Sequence, residues 1–289
     1  MSGCADFCIF LNNIMLAFLY GIGYNISDNN LNGEYALNLR RLGRYCIMGF
    51  FSTLGDTREM LLYILTMVLM LGFIMPVHEC AHGLMAKALG DDTAERAGRL
   101  TLNPMAHLNL YGALMMFLIG FGWAEPVPVS PVRFRNQKRR QGYMALVAFA
   151  GPLSNLLMAF LGLIIFRAGL CFDMSYDFFY AFYFVMLRVV LLNVGLAVFN
   201  MLPIMPLDGS RILNWIMPDK LMYKIEQAIS RVNPIVYIVV FYVAIQLLSG
   251  PLWTVEYSLF SWLGGVVDGL FNALGLNASA SVIRFLYGI

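Results

Sequence analysis

Charge is what this chain has least of. Only 12% of its 289 residues are Asp, Glu, Lys or Arg, about half the share of an ordinary soluble domain. With 60% hydrophobic residues and a mean hydropathy of +0.71, that shortage excludes a soluble globular protein. A net charge of +2 gives no bulk attraction for nucleic acid, so no nucleic-acid partner is expected. The five cysteines, Cys4, Cys8, Cys46, Cys80 and Cys171, show neither C-x-x-C spacing nor a disulfide framework and read as small apolar fillers. No internal repeat or low-complexity tract is present. The longest polar stretches run to about 20–35 residues, too short for a soluble accessory domain. The N-terminus carries no basic residue ahead of its first apolar stretch, which therefore reads as a membrane span rather than a cleaved leader.

What the chain does have is apolar runs near the length of about 20 residues that a crossing helix needs. They are Phe7–Ile22, Met60–Leu89, Tyr143–Arg167, Asp177–Met201 and Pro234–Leu248. Tyr257–Leu276, with Asp268 and several glycines, is a sixth span or an interfacial helix. Leu110–Trp123 is apolar but short for a crossing. The expected fold is an all-α polytopic membrane protein of about five to six transmembrane helices. Three regions are expected: residues 1–58, an N-terminal span and polar loop; 59–217, a catalytic membrane core; and 218–289, C-terminal helices.

Inside the Met60–Leu89 run stands His78-Glu79-Cys80-Ala81-His82, which takes two of the chain's three histidines. On a helix, positions four apart share a face, so both imidazoles can grip one Zn²⁺ while the intervening Glu79 serves as a base toward water. Without a metal, the same residues in lipid would be costly, and the bland alternative is a buried polar cluster facing the bundle interior. Cys80 points off the histidine face and is not counted as a ligand.

A catalytic zinc needs a third protein ligand. His107 is the remaining histidine, and the carboxylates at plausible membrane depth are Glu125, Asp173, Asp177, Asp208 and Asp268. Asp208 follows an apolar helix in Asn200-Met-Leu-Pro203-Ile-Met-Pro206-Leu-Asp208-Gly209, where two prolines unwind the chain and can present a carboxylate to the bundle. Spacing alone leaves it balanced between a ligand and a plain N-cap of a helix Ser210–Ile216.

Beyond these residues the chain carries Leu89-Gly-Asp-Asp-Thr-Ala94, Ala97-Gly-Arg-Leu-Thr-Leu-Asn-Pro104-Met-Ala-His107, Phe121-Gly-Trp-Ala-Glu-Pro-Val-Pro-Val129, Phe134-Arg-Asn136 and Gly151-Pro152-Leu-Ser-Asn155. With the metal helix and the Asn200–Gly209 block, this pattern resembles the site-2 protease family of intramembrane zinc metalloproteases, in its short subgroup without PDZ or CBS domains. The resemblance covers His78 to Arg211. It implies one zinc per chain on His78, His82 and Asp208, with Glu79 as the catalytic base. It also implies, as substrate, the transmembrane segment of another membrane protein, cut in regulated intramembrane proteolysis. The chain departs from the subgroup at Asn109-Leu110, where Asp-Pro is usual, and at Glu125, where Lys is usual.

Asn155 lies one turn after Gly151-Pro152 and is balanced between donating to the substrate or oxyanion and gluing two helices together. Asn200 is expected to tie down the Pro-x-x-Pro turn, and His107 to support a loop. Arg188 should face the bundle or an aqueous cavity, or snorkel. Residues Gly98–Leu102 and Val127–Val129 alternate in a β-type pattern, which predicts a short re-entrant or strand-like region beside the metal helix that could pair with an unwound substrate. If Asp208 meets His78, Leu110–Trp123 must turn back rather than cross. Most basic residues then gather on the face of the site, which the positive-inside rule turns toward the cytosol of the cell membrane. The alternatives are a metal-ion transporter using the same cluster as a transit site, and a catalytically silent scaffold, against which the intact Glu79 argues.

Overall fold

The computed structural model describes residues 57–119, 124–169, 171 and 176–276. Every regular element among them is helical. Helix α1 (Thr57–Leu69) runs through a π-turn at Met70–Ile74 straight into α2 (Met75–Ala88). The π-turn has a local cause. Pro76 has no N–H to offer the carbonyl of Gly72 and its ring crowds that carbonyl, so the ladder widens just ahead of it. His78 follows two residues later. Helix α2 stops at Gly90, whose φ of +105° suits glycine and where a Cβ would stand 2.6 Å from Arg135 Cγ.

A short α3 (Thr93–Arg96) and an irregular stretch lead to α4 (Leu110–Ile119). Its ten residues reach about 15 Å, half of a bilayer core. The two ends of this excursion meet: Glu125 N–H donates to the His107 carbonyl at 2.8 Å, and Asn109 Nδ2 donates to Glu125 Oε2 at 3.2 Å. A segment whose ends touch does not join opposite faces of a bilayer. Tyr63 of α1 pins it from the side, donating to the Phe117 carbonyl at 2.7 Å.

Helix α5 (Arg140–Gly169) runs antiparallel to α2, and Ala86 packs with Phe134 and Val147 where they cross. Helix α6 (Tyr176–Asn200) returns alongside α5 and ends in the Pro-rich turn. Helices α7 (Asp208–Ile216) and α8 (Asp219–Ser230) are short and amphipathic, and α9 (Pro234–Ala273) closes the bundle. The main core joins α5, α6 and α9 through Leu163, Phe166, Val190, Val194, Phe260 and Val267.

Two helices among the described residues, Tyr63–Ala88 and Gln137–Gly169, are long and apolar enough to cross a membrane, and Val185–Asn200 is a shorter apolar helix. The expected span Phe7–Ile22 lies outside the described residues. Pro234–Leu248 and Tyr257–Leu276, expected as separate segments, form one continuous backbone helix in α9. Gly250-Pro251 does not break it, as neighbouring helices can hold a Pro-containing apolar helix together.

The strand-like regions do not form among the described residues. At 98–102, Gly98 adopts φ +68° and Arg99 N–H turns back to the Ala94 carbonyl, which ends the alternation. Residues 124–130 form no regular element and no ladder: Glu125 N–H goes to the His107 carbonyl, Val127 N–H to Glu79 and Ser130 N–H to Asp91. Arg188 is buried and donates to Thr66 Oγ1 at 3.2 Å, facing the bundle as expected. Asn200 Nδ2 bonds to Leu196 of its own helix, not to the turn beyond it.

Candidate metal centre

The helical repeat of α2 brings His78 and His82 onto one buried face, and their Nε2 atoms stand 3.1 Å apart. Asp208 comes from the first turn of α7, delivered by the turn that leaves α6. Its Oδ2 lies 3.4 Å from His78 Nε2 and 3.3 Å from His82 Nε2. The cap reading of Asp208 fails: the N-cap residue is Leu207, no side-chain cap bond is made, and the helix starts at Asp208 and not at Ser210.

Each of these positions depends on a neighbour with no side chain in the way. A Cβ on Gly151 of α5 would stand 2.4 Å from His82 Nε2 and 2.6 Å from His78 Cε1. A Cβ on Gly209 would stand 2.2 Å from the Met201 carbonyl oxygen and 2.4 Å from that of Leu202. Gly83 lets α2 pack on Leu100, Ala94 and Val127. The Pro-rich turn is held from outside as well, because Tyr237 of α9 donates its hydroxyl to the Met205 carbonyl.

The donor set fits a tetrahedral metal ion. Ligands about 2.0–2.1 Å from such an ion stand about 3.3 Å from one another, and the three atoms here are separated by 3.1, 3.3 and 3.4 Å. His82 Nδ1 bonds to the Val147 carbonyl at 2.7 Å. That carbonyl can only accept, so Nδ1 carries the proton and Nε2 offers its lone pair to the cluster. His78, His82 and Asp208 are thus a group that could hold one ion.

Glu79 lies beside this cluster, half-buried, with Oε2 accepting the Val127 N–H at 3.1 Å. The segment that supplies this bond is itself clamped to the end of α2. Asp91, fully buried, accepts from Ser130 N–H at 2.6 Å and from Thr93 N–H at 3.0 Å, and Arg135 N–H donates to the Leu89 carbonyl at 3.0 Å. Asn155 lies one turn beyond Gly151, fully buried, and neither Oδ1 nor Nδ2 has a hydrogen-bond partner.

The other candidates from the sequence do not join the cluster. His107 is buried and its Nε2 bonds to the Thr101 carbonyl at 2.8 Å, in keeping with a loop-supporting role. Glu125 sits between Asn109 and Arg99, and Asp268 pairs with Arg167 at 3.1 Å. Asp173 and the side chain of Asp177 lie outside the described residues. Sequence reasoning missed the contacts supplied by Val127, Val147 and Leu89. They are backbone groups, which every residue type carries, and so leave no compositional signal.

A helix-borne His-Glu-x-x-His joined by a distant aspartate, at a largely buried site between helices, is a metallohydrolase type of site. Comparison with known proteins agrees. The chain is 40% identical over 185 residues to "Putative zinc metalloprotease YwhC" of Bacillus subtilis, a match that covers 61% of this chain and 79% of that protein. It is 31% identical over 160 residues to "Putative zinc metalloprotease Rip2" of Mycolicibacterium smegmatis, covering 54% of this chain and 60% of that protein. The chain belongs to the zinc metalloprotease family that includes YwhC. No family model matches the chain, and no solved structure matches it. These similarities do not favour the metal-transporter alternative.

Proposed function

We propose that the chain is an intramembrane zinc endopeptidase of the site-2 protease type, acting on transmembrane segments of other membrane proteins. The observation that carries this reading is the depth of a tetrahedrally spaced donor set. Gly151, against which both imidazoles rest, stands eleven residues beyond Arg140 at the start of α5. That is about 16 Å along a helix, near the half-thickness of a bilayer core. A site at that level meets the apolar part of a substrate, not its polar flanks.

His78, His82 and Asp208 would hold the ion, one per chain. Bound there, Zn²⁺ supplies a Lewis acid that polarises a carbonyl and brings the pKa of water toward about 7. Glu79 takes the proton of the attacking water and returns it to the leaving amine. The Val127 N–H keeps the Glu79 carboxylate oriented for this exchange. Asn155, buried and unpaired, is available to donate to the substrate backbone or to the developing oxyanion. A transmembrane substrate must unwind locally first, since its scissile carbonyl is otherwise held in the helix ladder. The protein is an integral membrane protein with the site opening toward the cytosolic side, the face on which its basic residues gather.

Glu79→Gln is the test. The purified variant, reconstituted in lipid, should keep zinc and lose cleavage of a model transmembrane substrate. Cleavage equal to the parent would refute the mechanism.

A further inference from the structure

Basic residues crowd the end of the molecule where α2 stops, α5 starts and α7 finishes, and they fall into two sets. Lys87, Arg96, Arg99 and Arg133 are neutralised by carboxylates: Glu95 at 2.7 Å, Asp92 at 2.6 Å, Glu125 at 3.8 Å and Asp92 again at 2.6 Å. Arg135, Lys138, Arg139 and Arg140 are exposed, and no carboxylate pairs with them among the described residues. Residues 133–140 hold five basic residues and no acidic one, directly ahead of the apolar α5.

These cations sit on an ordered platform. Phe134 is buried, Gln137 Nε2 reaches the carbonyls of Pro131, Val132 and Phe134, Asn136 accepts from Lys138 N–H, and Arg135 N–H is tied to Leu89. The backbone that carries them is already ordered, so an anion need not order it on binding. Alongside it lies the end of α7. A Cβ on Gly142 would stand 3.2 Å from Trp215 Nε1, which places the indole within a turn of Arg140. Trp215 is 56% exposed and Ile216 70% exposed. An exposed aromatic and an exposed aliphatic side chain beside unpaired cations, at the mouth of an apolar helix, match the headgroup level of a bilayer.

We propose that the Arg133–Arg140 turn and the exposed end of α7 form a docking surface for anionic phospholipid headgroups. The surface bears on the metal centre, because α7 carries Asp208 at its first residue and Trp215 in its last turn. Seating one end of this nine-residue helix in the headgroup layer restrains the other end, which brings the carboxylate to His78 and His82. The proposal rests on the membrane reading above.

The test uses the full chain reconstituted in mixed phosphatidylcholine and phosphatidylglycerol vesicles, with spin-labelled lipid of each kind as probe. The parent should immobilise the phosphatidylglycerol probe several-fold more than the phosphatidylcholine probe, and salt should erase the difference. The variant Arg135→Gln/Lys138→Gln/Arg139→Gln/Arg140→Gln should lose the preference. Brominated phosphatidylglycerol should also quench the fluorescence that Trp215→Phe removes. Equal immobilisation of both probes by the parent, or displacement of the phosphatidylglycerol probe by inorganic phosphate where chloride of the same ionic strength leaves it in place, overturns the proposal and leaves the protease reading standing. A parent that fails to enter vesicles overturns both.

Discussion

Gly151 of α5 and His82 of α2 approach so closely that a Cβ on the glycine would lie 2.4 Å from the imidazole Nε2. One hydrogen atom on that glycine marks the space the metal-facing nitrogen uses. Gly151→Ala should push both imidazoles off their present line while leaving the helices folded. Metal content, measured on protein with unchanged far-ultraviolet circular dichroism, should fall, with affinity reduced by about 10–100-fold. Full zinc retention in Gly151→Ala would show that the face of α5 is not the wall of the site.

Gly209 gives a second prediction of the same kind from the opposite wall. Its added methyl would meet two carbonyl oxygens of the α6 terminus, Met201 and Leu202, and backbone yields less readily than a flexible side chain. Gly209→Ala should displace Asp208 and lower zinc occupancy to a level near that of Asp208→Ala. An unperturbed site in this variant would mean that the turn has slack the structure does not display.

Asn155 separates a structural role from a chemical one. Its amide is buried and unpaired, so truncation removes a polar group that already lacks partners. Asn155→Ala should therefore change thermal stability little, within about 1 kcal/mol. Cleavage of a transmembrane substrate should fall by about 10²-fold if the amide serves the oxyanion. A large loss of stability with proportionate loss of activity would instead mark interhelical glue.

The Arg167–Asp268 pair, nearly dry at 3.1 Å, ties the end of α5 to the end of α9, and Arg167 also reaches the Leu276 carbonyl and the Phe271 ring. Removing one partner strands a buried charge. Arg167→Leu should destabilise by about 3–5 kcal/mol, and the double variant Arg167→Leu/Asp268→Leu by clearly less. Thermal unfolding in detergent compares the two. Equal losses would show that packing around Arg167, not its charge, holds α9.

The helix repeat made His78, Glu79 and His82 readable as a unit, because the four-residue spacing that puts both histidines on one face is a local property. Asp208 was readable as a candidate from its prolines, but its choice over a cap needed a resemblance, and its geometry needed the fold. The short excursion at 110–123 followed from requiring the two to meet. The strand-like alternation misled, since Val127 and Ser130 spend their N–H groups on Glu79 and Asp91, where a ladder would have used both. Pro234–Leu248 and Tyr257–Leu276 read as two apolar segments, where the backbone of α9 is one helix. The orienting carbonyl of Val147 and the N–H of Val127 were out of reach, since only the meeting of distant segments gives a peptide group a role.

The excursion that leaves at His107 and returns at Glu125 is closed at its base by hydrogen bonds. Its inner face is fixed, since Tyr63 holds the Phe117 carbonyl and Met116 packs on Met70 and Ile74 just ahead of the metal helix. Its outer face, with Leu110, Tyr111 and Leu114 exposed, is the part that can change composition without moving the helices that carry His78 or Asp208.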